Sequence, residues 1–481
     1  MPDRLEAAAA VAPPQRYSPG YRFLRLFADI RPGEAPKALL LGLNVFLLLL
    51  AYYILKPLRE ALLLVDKDSA VVKSCLSGAQ AVLFVFVVKA FSRLSSRVPR
   101  HVLITWTTSF FISNLALFYL LDLGGMAVRP MGILFFIWIG IFNYFVIAQF
   151  WGFANDLYSD EAGKRAFPLV ALGATSGGLV ATLPFMKRLR DLLGSHWEFK
   201  LMLLAGIILF VCILLARHIH RREVRAVAAA RERGQAGAGA RAETQEMPLR
   251  AGGGFRLVFR NRYLLLIALM IGLYNFVNAT GEYIITTATV NRSIAGPSAA
   301  SAPSPAPEGA NEPAEKAIHD AFMDYQFLTN LIALVIQLFL VSRIFKWIGV
   351  NGALLVLPLL ALGGYALISF GAVLGLVRWV KALENGTDYS LQNTTKAALF
   401  LVTRREEKYK AKAAIDTFFV RGGDTLSALA VLIGTGLLGL PVERFALLNV
   451  VAVIVLLAIC LKIIPAYAGR KAATDAAAGE A

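Results

Sequence analysis

The chain has 481 residues, 57% of them hydrophobic and only 17% charged, with a formal net charge of +17. Its mean hydropathy of +0.61 lies well outside the range of soluble globular domains, so the composition describes a polytopic membrane protein and excludes a soluble enzyme or regulator. Cys75, Cys212 and Cys460 are isolated, without a CxxC spacing or a Cys/His cluster, and so indicate neither a disulfide framework nor a metal site.

A membrane-crossing helix needs about 20 mainly apolar residues. Twelve such segments follow one another, near 38–64, 70–91, 102–121, 131–155, 166–186, 199–217, 263–288, 319–342, 349–368, 371–400, 412–439 and 442–464. Residues 1–36 lack a sustained apolar core and read as a cytoplasmic tail, not a signal peptide, so the first helix is expected to be retained. The first half spans 37–220, a basic flexible linker 221–255, the second half 256–465, and a cytoplasmic tail 466–481. A Pro/Ala/Ser-rich external loop covers 292–316.

The positive charge falls in alternate connections: Arg16 to Lys37, Lys89 to Arg100, the linker from Arg217 to Arg262 with eleven arginines, Arg404 to Lys412, and Lys462 to Lys471. This pattern puts both termini in the cytoplasm and accounts for the charge without nucleic acid. The stretch "KRLRDLLGSHWEFK" between the fifth and sixth segments dissents, being external yet basic. It either weakens the count or marks a mouth that attracts anions.

The first segment ends in "YYILKPLREALLL", which puts Lys56, Arg59 and Glu60 in apolar surroundings. Each such group costs about 2.5 to 3.5 kcal/mol at the centre of a membrane helix on insertion scales, so it is expected to face a cavity or a partner; the alternative is snorkelling at the outer end. Their i, i+3, i+4 spacing lets one face present all three, with Lys56 and Glu60 pairing when the cavity is empty. Pro57 predicts a kink or partial unwinding at Lys56.

In the fifth segment "GATSGG" offers small residues for close helix packing, and no GxxxxGK[ST] loop occurs, which argues against an ATP-driven pump. The seventh segment, "YNFVNATGEYIITTATV", places Tyr274, Asn278 and Glu282 at i, i+4, i+8, repeating Tyr52, Lys56 and Glu60 in the first. A second echo links Glu161 and Lys164 with Glu407 and Lys410. Six segments, a long basic connection and six more suggest a parallel repeat. In the tenth segment Lys381, Glu384, Asp388, Gln392 and Thr395 form one helical stripe that lipid would not tolerate; it either contacts substrate or joins an interhelical hydrogen-bond network.

The stretches "YYILKPLREALLL", "FWGFANDLYSDEAGKRAFPLVALGA", "YNFVNATGE" and "DYSLQNTTKAALFLVTRREEKYKAKAAID" resemble, in order, the ATP/ADP translocase family of plastids and bacteria. That resemblance implies a major facilitator-like fold of twelve helices in two six-helix pseudo-repeats. It also implies a secondary transporter exchanging nucleotides by alternating access in the bacterial inner membrane. Carried over by motif, the residues important for transport fall on Arg59, Glu282 and either Lys410 or Lys412. Two departures bear on substrate identity: Arg59 stands where the well-known exchangers have lysine, and "SLQNTTKAALF" differs from the usual "SLFDPTKE"-like segment.

The expected substrate-binding set is Tyr52, Lys56, Arg59, Glu60, Asn278, Glu282, Lys381, Glu384, Asp388, Lys410 and Lys412. Lysine and arginine would hold phosphates, and Glu60 and Glu282 would balance them in the empty cavity. The expected partners are a nucleotide or other anionic small molecule and the lipid bilayer, with no cofactor, no metal and no nucleic acid, a single chain sufficing. A carrier of another organic anion or phosphate ester, or a non-transporting sensor, are the alternatives.

Overall fold

The computed structural model describes residues 35–64, 66–95, 98, 100–158, 160–232, 254–294, 312–371, 373–403, 407 and 411–479. These residues form helices and, among them, no strand. A helix satisfies its own backbone N–H and C=O groups, as a segment removed from water must.

In chain order the helices are α1 (Ala35–Leu63), α2 (Ser69–Ser95), α3 (Arg100–Leu123), α4 (Val128–Leu157), α5 (Asp160–Ala181), α6 (Phe185–Leu193), α7 (Trp197–Glu232), α8 (Gly254–Arg260), α9 (Arg262–Ile294), α10 (Glu312–Val335), α11 (Val341–Phe370), α12 (Leu374–Thr387), α13 (Asn393–Leu401), α14 (Lys412–Ala414), α15 (Val420–Gly436) and α16 (Val442–Gly479). Wider π turns join α10 to α11 (Ile336–Leu340), α12 to α13 (Asp388–Gln392) and α14 to α15 (Ile415–Phe419).

The packing repeats. In the first half α1 packs against α4, α5 and α7, and in the second α9 packs against α12, α15 and α16. Helix α3 lies on α7 as α11 lies on α16. The two halves meet through α2 on α15 and α9, and through α10 on α1 and α5. This all-helical pair of repeats is the major facilitator arrangement.

The α1–α5 contact depends on small residues. A Cβ at Gly173 would overlap the carbonyl of Gly42, and one at Gly177 the carbonyl of Phe46, so backbone meets backbone where "GATSGG" crosses α1. Facing outward, Trp106, Phe110, Leu120, Phe210, Trp347 and Phe370 are each more than half exposed, an apolar surface suited to hydrocarbon.

Among the described residues nine helices are long and apolar enough to cross a membrane, or ten if 166–181 and 185–193, meeting at 53°, form one bent span. Two features separate this number from the twelve segments expected. The apolar stretch Pro313–Phe370 is 58 residues long, about 87 Å at ~1.5 Å per residue, nearly three times the ~30 Å hydrocarbon core. It is broken at Gly349, whose φ of 66° suits glycine, which lacks a Cβ. The second feature is the helical run 374–401, whose Arg378, Lys381, Glu384, Asp388 and Lys396 take it outside any apolar criterion.

Some boundaries differ from the sequence reading. Helix α1 passes through Pro57 without a break, so the expected unwinding at Lys56 does not occur; neighbouring helices support such a proline. Helix α7 continues to Glu232 and α16 to Gly479, because the terminal stretches are rich in helix-favouring alanine. Residues 1–34, 233–253 and 295–311, which carry the N-terminal tail, most of the linker and most of the Pro/Ala/Ser-rich loop, lie outside the described residues.

Polar contacts distinguish the two ends of the bundle. At the end bearing the first and last helical termini, Lys37 pairs with Glu223 at 2.8 Å and Arg470 with Glu407 at 3.1 Å. At the far end Arg129 pairs with Asp66 at 3.3 Å and His196 with Asp122 at 2.6 Å.

Candidate functional site

Helices α1, α2, α9, α10, α11 and α12 converge on a polar layer between the halves. From α1, the Arg59 guanidinium donates to Glu60 Oε1, its Nε at 3.0 Å, and lies 4.7 Å from the Phe136 ring centroid. The other Glu60 oxygen meets Lys73 Nζ of α2 at 2.7 Å. Lys73 in turn donates to Thr286 Oγ1 of α9 at 2.9 Å and sits over the Phe322 ring of α10. Glu60 is 2% exposed and Lys73 6%, so this chain of contacts ties the halves together in a nearly dry environment.

A second cluster belongs to the C-terminal half. Glu282 Oε1 accepts from Tyr325 OH at 2.9 Å and from Asn385 Nδ2 at 3.1 Å. Lys381, fully buried, donates to Asn278 Oδ1 at 2.7 Å and to Glu384 Oε2 at 3.1 Å. Tyr365 OH donates to the same Glu384 oxygen at 2.6 Å. One helical turn nearer the terminus-bearing end, Lys396 pairs with Asp388 at 3.0 Å and lies 4.5 Å from the Tyr274 ring centroid.

Lys56 stands apart. Its Nζ donates to the neutral amide of Gln326 at 3.2 Å and lies 5.6 Å from the Tyr53 ring centroid. In the central layer four cations, Lys56, Arg59, Lys73 and Lys381, face three carboxylates, Glu60, Glu282 and Glu384. One positive charge is therefore in excess, and it is least neutralised at Lys56.

On the terminus-bearing side a cavity of 610 Å³ opens between the halves, and it reaches Lys56 through its wall residue Tyr53, whose ring Lys56 faces. Tyr53 of α1, Thr175 and Gly178 of α5, Asn330 of α10, and Tyr389 and Asn393 of the α12–α13 run are among its walls. On the far side the halves are pinned. Arg190 of α6 donates to Asp320 of α10, and Lys187 pairs with Asp324 at 2.5 Å. The basic stretch from Lys187 to Lys200 thus spends much of its charge on acidic partners of α10. The far side is latched and the terminus side hollow.

Of the expected set, Lys56, Arg59, Glu60, Asn278, Glu282, Lys381 and Glu384 come together in this layer. Asp388 sits a turn away with Lys396, and Tyr52 packs edge-on to Tyr53 at 5.2 Å. The expected Lys56–Glu60 pair is not formed: Arg59 and Lys73 occupy the two Glu60 oxygens, and Lys56 turns to Gln326. Lys412 is half-buried, 5.7 Å from the Phe400 ring centroid, and is not part of the central layer. Lys410 lies outside the described residues. Glu282, which in sequence has no basic neighbour, has Lys381, Lys73 and Lys56 within electrostatic reach.

The sequence reading missed Lys73, Tyr325, Gln326, Asn385 and Tyr365. Lys73 was findable, since "VVKSCLSG" isolates a lysine in an apolar segment and the cost argument applied to Lys56 covers it. The neutral members carry no such signal. Among the described residues no group of three His, Cys, Asp or Glu side chains is arranged to hold a metal ion.

Comparison with known proteins agrees with this geometry. The family described as TLC ATP/ADP transporter matches residues 131–284. ADP,ATP carrier protein 1 of Chlamydia muridarum is 25% identical over 461 residues, covering 82% of this chain and 81% of that protein. Its namesake in Chlamydia trachomatis is 26% identical over 340 residues, covering 63% and 60%. In fold, a variant of the nucleoside transporter NupG superposes with a TM-score of 0.60 at 12% identity, covering 89% of this chain and 99% of that one. A bacterial homologue of the human lysosomal transporter Spinster, in an inward-facing and unoccupied conformation, gives 0.57 at 13% identity, covering 92% and 98%. The ordered sequence motifs, the repeated packing of the two halves and these matches together make the chain similar to the ATP/ADP transporter family.

Proposed function

We propose that this protein is a secondary transporter that exchanges nucleotides across a bacterial inner membrane by alternating access, with both termini cytoplasmic and twelve helical crossings. The observation that carries the reading is the cationic excess at Lys56, next to a cavity shared by the two halves. An uncompensated charge away from water is costly, and an anion entering the cavity relieves that cost.

In this reading Lys56 is the first phosphate contact and Arg59 the second. Arg59 already spends donors on Glu60, and its planar fork can share or trade them for phosphate oxygens. Glu60 and Glu282 hold the cations while no substrate is bound, so the empty carrier is locked by the Arg59–Glu60–Lys73–Thr286 chain across the halves. Substrate phosphate competes for Arg59 and Lys73, loosens that chain and lets the halves rock; an empty carrier cannot do so. Lys412, on the terminus side, adds positive charge that attracts phosphate toward the cavity. The chain acts as a carrier and not as a catalyst, and one copy suffices.

Ligand-dependent stability tests this. Nucleoside di- and triphosphates should stabilise the purified protein, by about 2.7 kcal/mol at ~100 times Kd, and Lys56→Met should strongly reduce the effect while leaving the protein folded. Stabilisation by some other organic anion alone would keep the fold and overturn the substrate.

A further inference from the structure

The cavity beside Lys56 has walls unlike the charged layer it adjoins. Among the described residues none of its lining side chains is ionised at neutral pH; the polar ones are amides, hydroxyls and two phenols. A pocket built only for phosphate would show arginine or lysine here. Tyr53 comes from the N-terminal half and Tyr389 from the C-terminal half, and Tyr389 is 43% exposed, a large ring face offered to the hollow. Two π turns border the space, Ile336–Leu340 contributing Gln337 and Asp388–Gln392 contributing Tyr389 and Ser390. Such turns occur mostly as single widened turns and often at functional sites.

Asn330 supplies the most specific feature. It is 5% exposed, lines the cavity, and its Nδ2 has no hydrogen-bond partner among the described residues. An orphaned buried amide is costly and calls for water or a ligand. Gly178 opposite leaves room for it: a Cβ there would sit 2.9 Å from the Tyr53 ring and 3.3 Å from Asn330 Nδ2. A carboxamide offers a donor and an acceptor side by side, the complement of an edge with an amino group next to a ring nitrogen, as in adenine. Guanine presents two adjacent acceptors on the corresponding edge, which arginine or lysine would read.

We infer that this cleft is the base subsite of the carrier: Asn330 reads the amino edge of the base, Tyr53 and Tyr389 give it aromatic faces, and the phosphates extend to Lys56. The inference rests on the nucleotide-exchange reading and adds the residues that set base selectivity. A base seated there touches both halves, so it also reports their relative position.

The test uses the full chain in proteoliposomes loaded with ATP, measuring uptake of labelled ATP and labelled GTP. Wild type should prefer ATP, and Asn330→Leu and Asn330→Asp should each lower the ATP:GTP ratio about tenfold. Inhibition by inorganic tripolyphosphate, which has no base, should be unchanged; this shows that the variants are folded and that the phosphate site is intact. In a second arm, adenosine should raise the thermal stability of wild type and of Lys56→Met, but not of Asn330→Leu or Gly178→Leu. An unaltered ATP:GTP ratio in both Asn330 variants, or adenosine stabilisation that survives them, overturns the subsite. Adenosine stabilisation dependent on Asn330, without nucleotide uptake by wild type, keeps the subsite and overturns the exchange reading.

Discussion

Replacing Glu60 by glutamine should destabilise the protein severely, and a second substitution should repair part of the damage. Glu60 is 2% exposed and stands between two cations, Arg59 with Nε at 3.0 Å and Lys73 at 2.7 Å. Removing its charge leaves both facing each other without compensation. Breaking a buried pair from one side costs about 3 to 5 kcal/mol, most of it the penalty on the group left behind, and here two groups are left. Lys73→Met alone keeps the Arg59–Glu60 pair and should cost less. In the double variant Glu60→Gln with Lys73→Met one uncompensated cation is gone, so the double should be more stable than Glu60→Gln alone. Equilibrium denaturation in detergent micelles measures this, with the order of stability Lys73→Met, then the double, then Glu60→Gln. Additive losses, making the double the least stable, would refute the reasoning, because they would mean that Lys73 gains nothing from facing the carboxylate.

Glu282→Gln should reduce exchange strongly while the protein stays folded, since the amide keeps an acceptor for Tyr325 and Asn385 but removes the charge facing Lys381, Lys73 and Lys56; near-normal flux would return Glu282 to a structural role. Asp320→Asn weakens the Arg190 latch, so a cysteine at Thr286 should become labelled faster from the far side, and an unchanged rate would show that the latch does not hold that side shut. Gly173→Val puts atoms where the Gly42 carbonyl lies and should destabilise the α1–α5 contact by about 1 to 3 kcal/mol or more, read from the thermal midpoint. Cysteines replacing Asp68 and Ala472, both exposed, should react with impermeant reagents from opposite faces of the membrane, Ala472 from the cytoplasm; labelling from one face would contradict the proposed orientation.

Legibility in the sequence followed the cost of each feature in lipid. Charged groups inside apolar segments stand out, so Lys56, Arg59, Glu60, Glu282, Lys381 and Glu384 could be named, and the i, i+4, i+8 repeat told which helices correspond. Their partners could not. Whether Lys56 meets Glu60 or Gln326 depends on how α10 lies against α1, a long-range packing fact with no trace in local spacing. Neutral residues such as Tyr325, Asn385 and Asn330 are tolerated on many faces of a membrane helix, so their types alone carry no positional signal. The broken stretch at Gly349 was legible as two segments because about 87 Å of helix cannot fit one bilayer. Pro57 misled because the rule for isolated helices is relaxed where neighbouring helices support the backbone.

The central claim is that an anion must occupy the Lys56 cavity before the halves can exchange access, and counterflow tests it most directly. Proteoliposomes of the purified chain are filled with unlabelled ATP or with buffer, and the uptake of labelled ATP is followed in both. The account predicts fast uptake into filled vesicles, little into empty ones, and no replacement of internal nucleotide by an imposed proton gradient. Equal uptake into filled and empty vesicles would contradict it, since the empty carrier would then reorient with its cationic layer uncompensated.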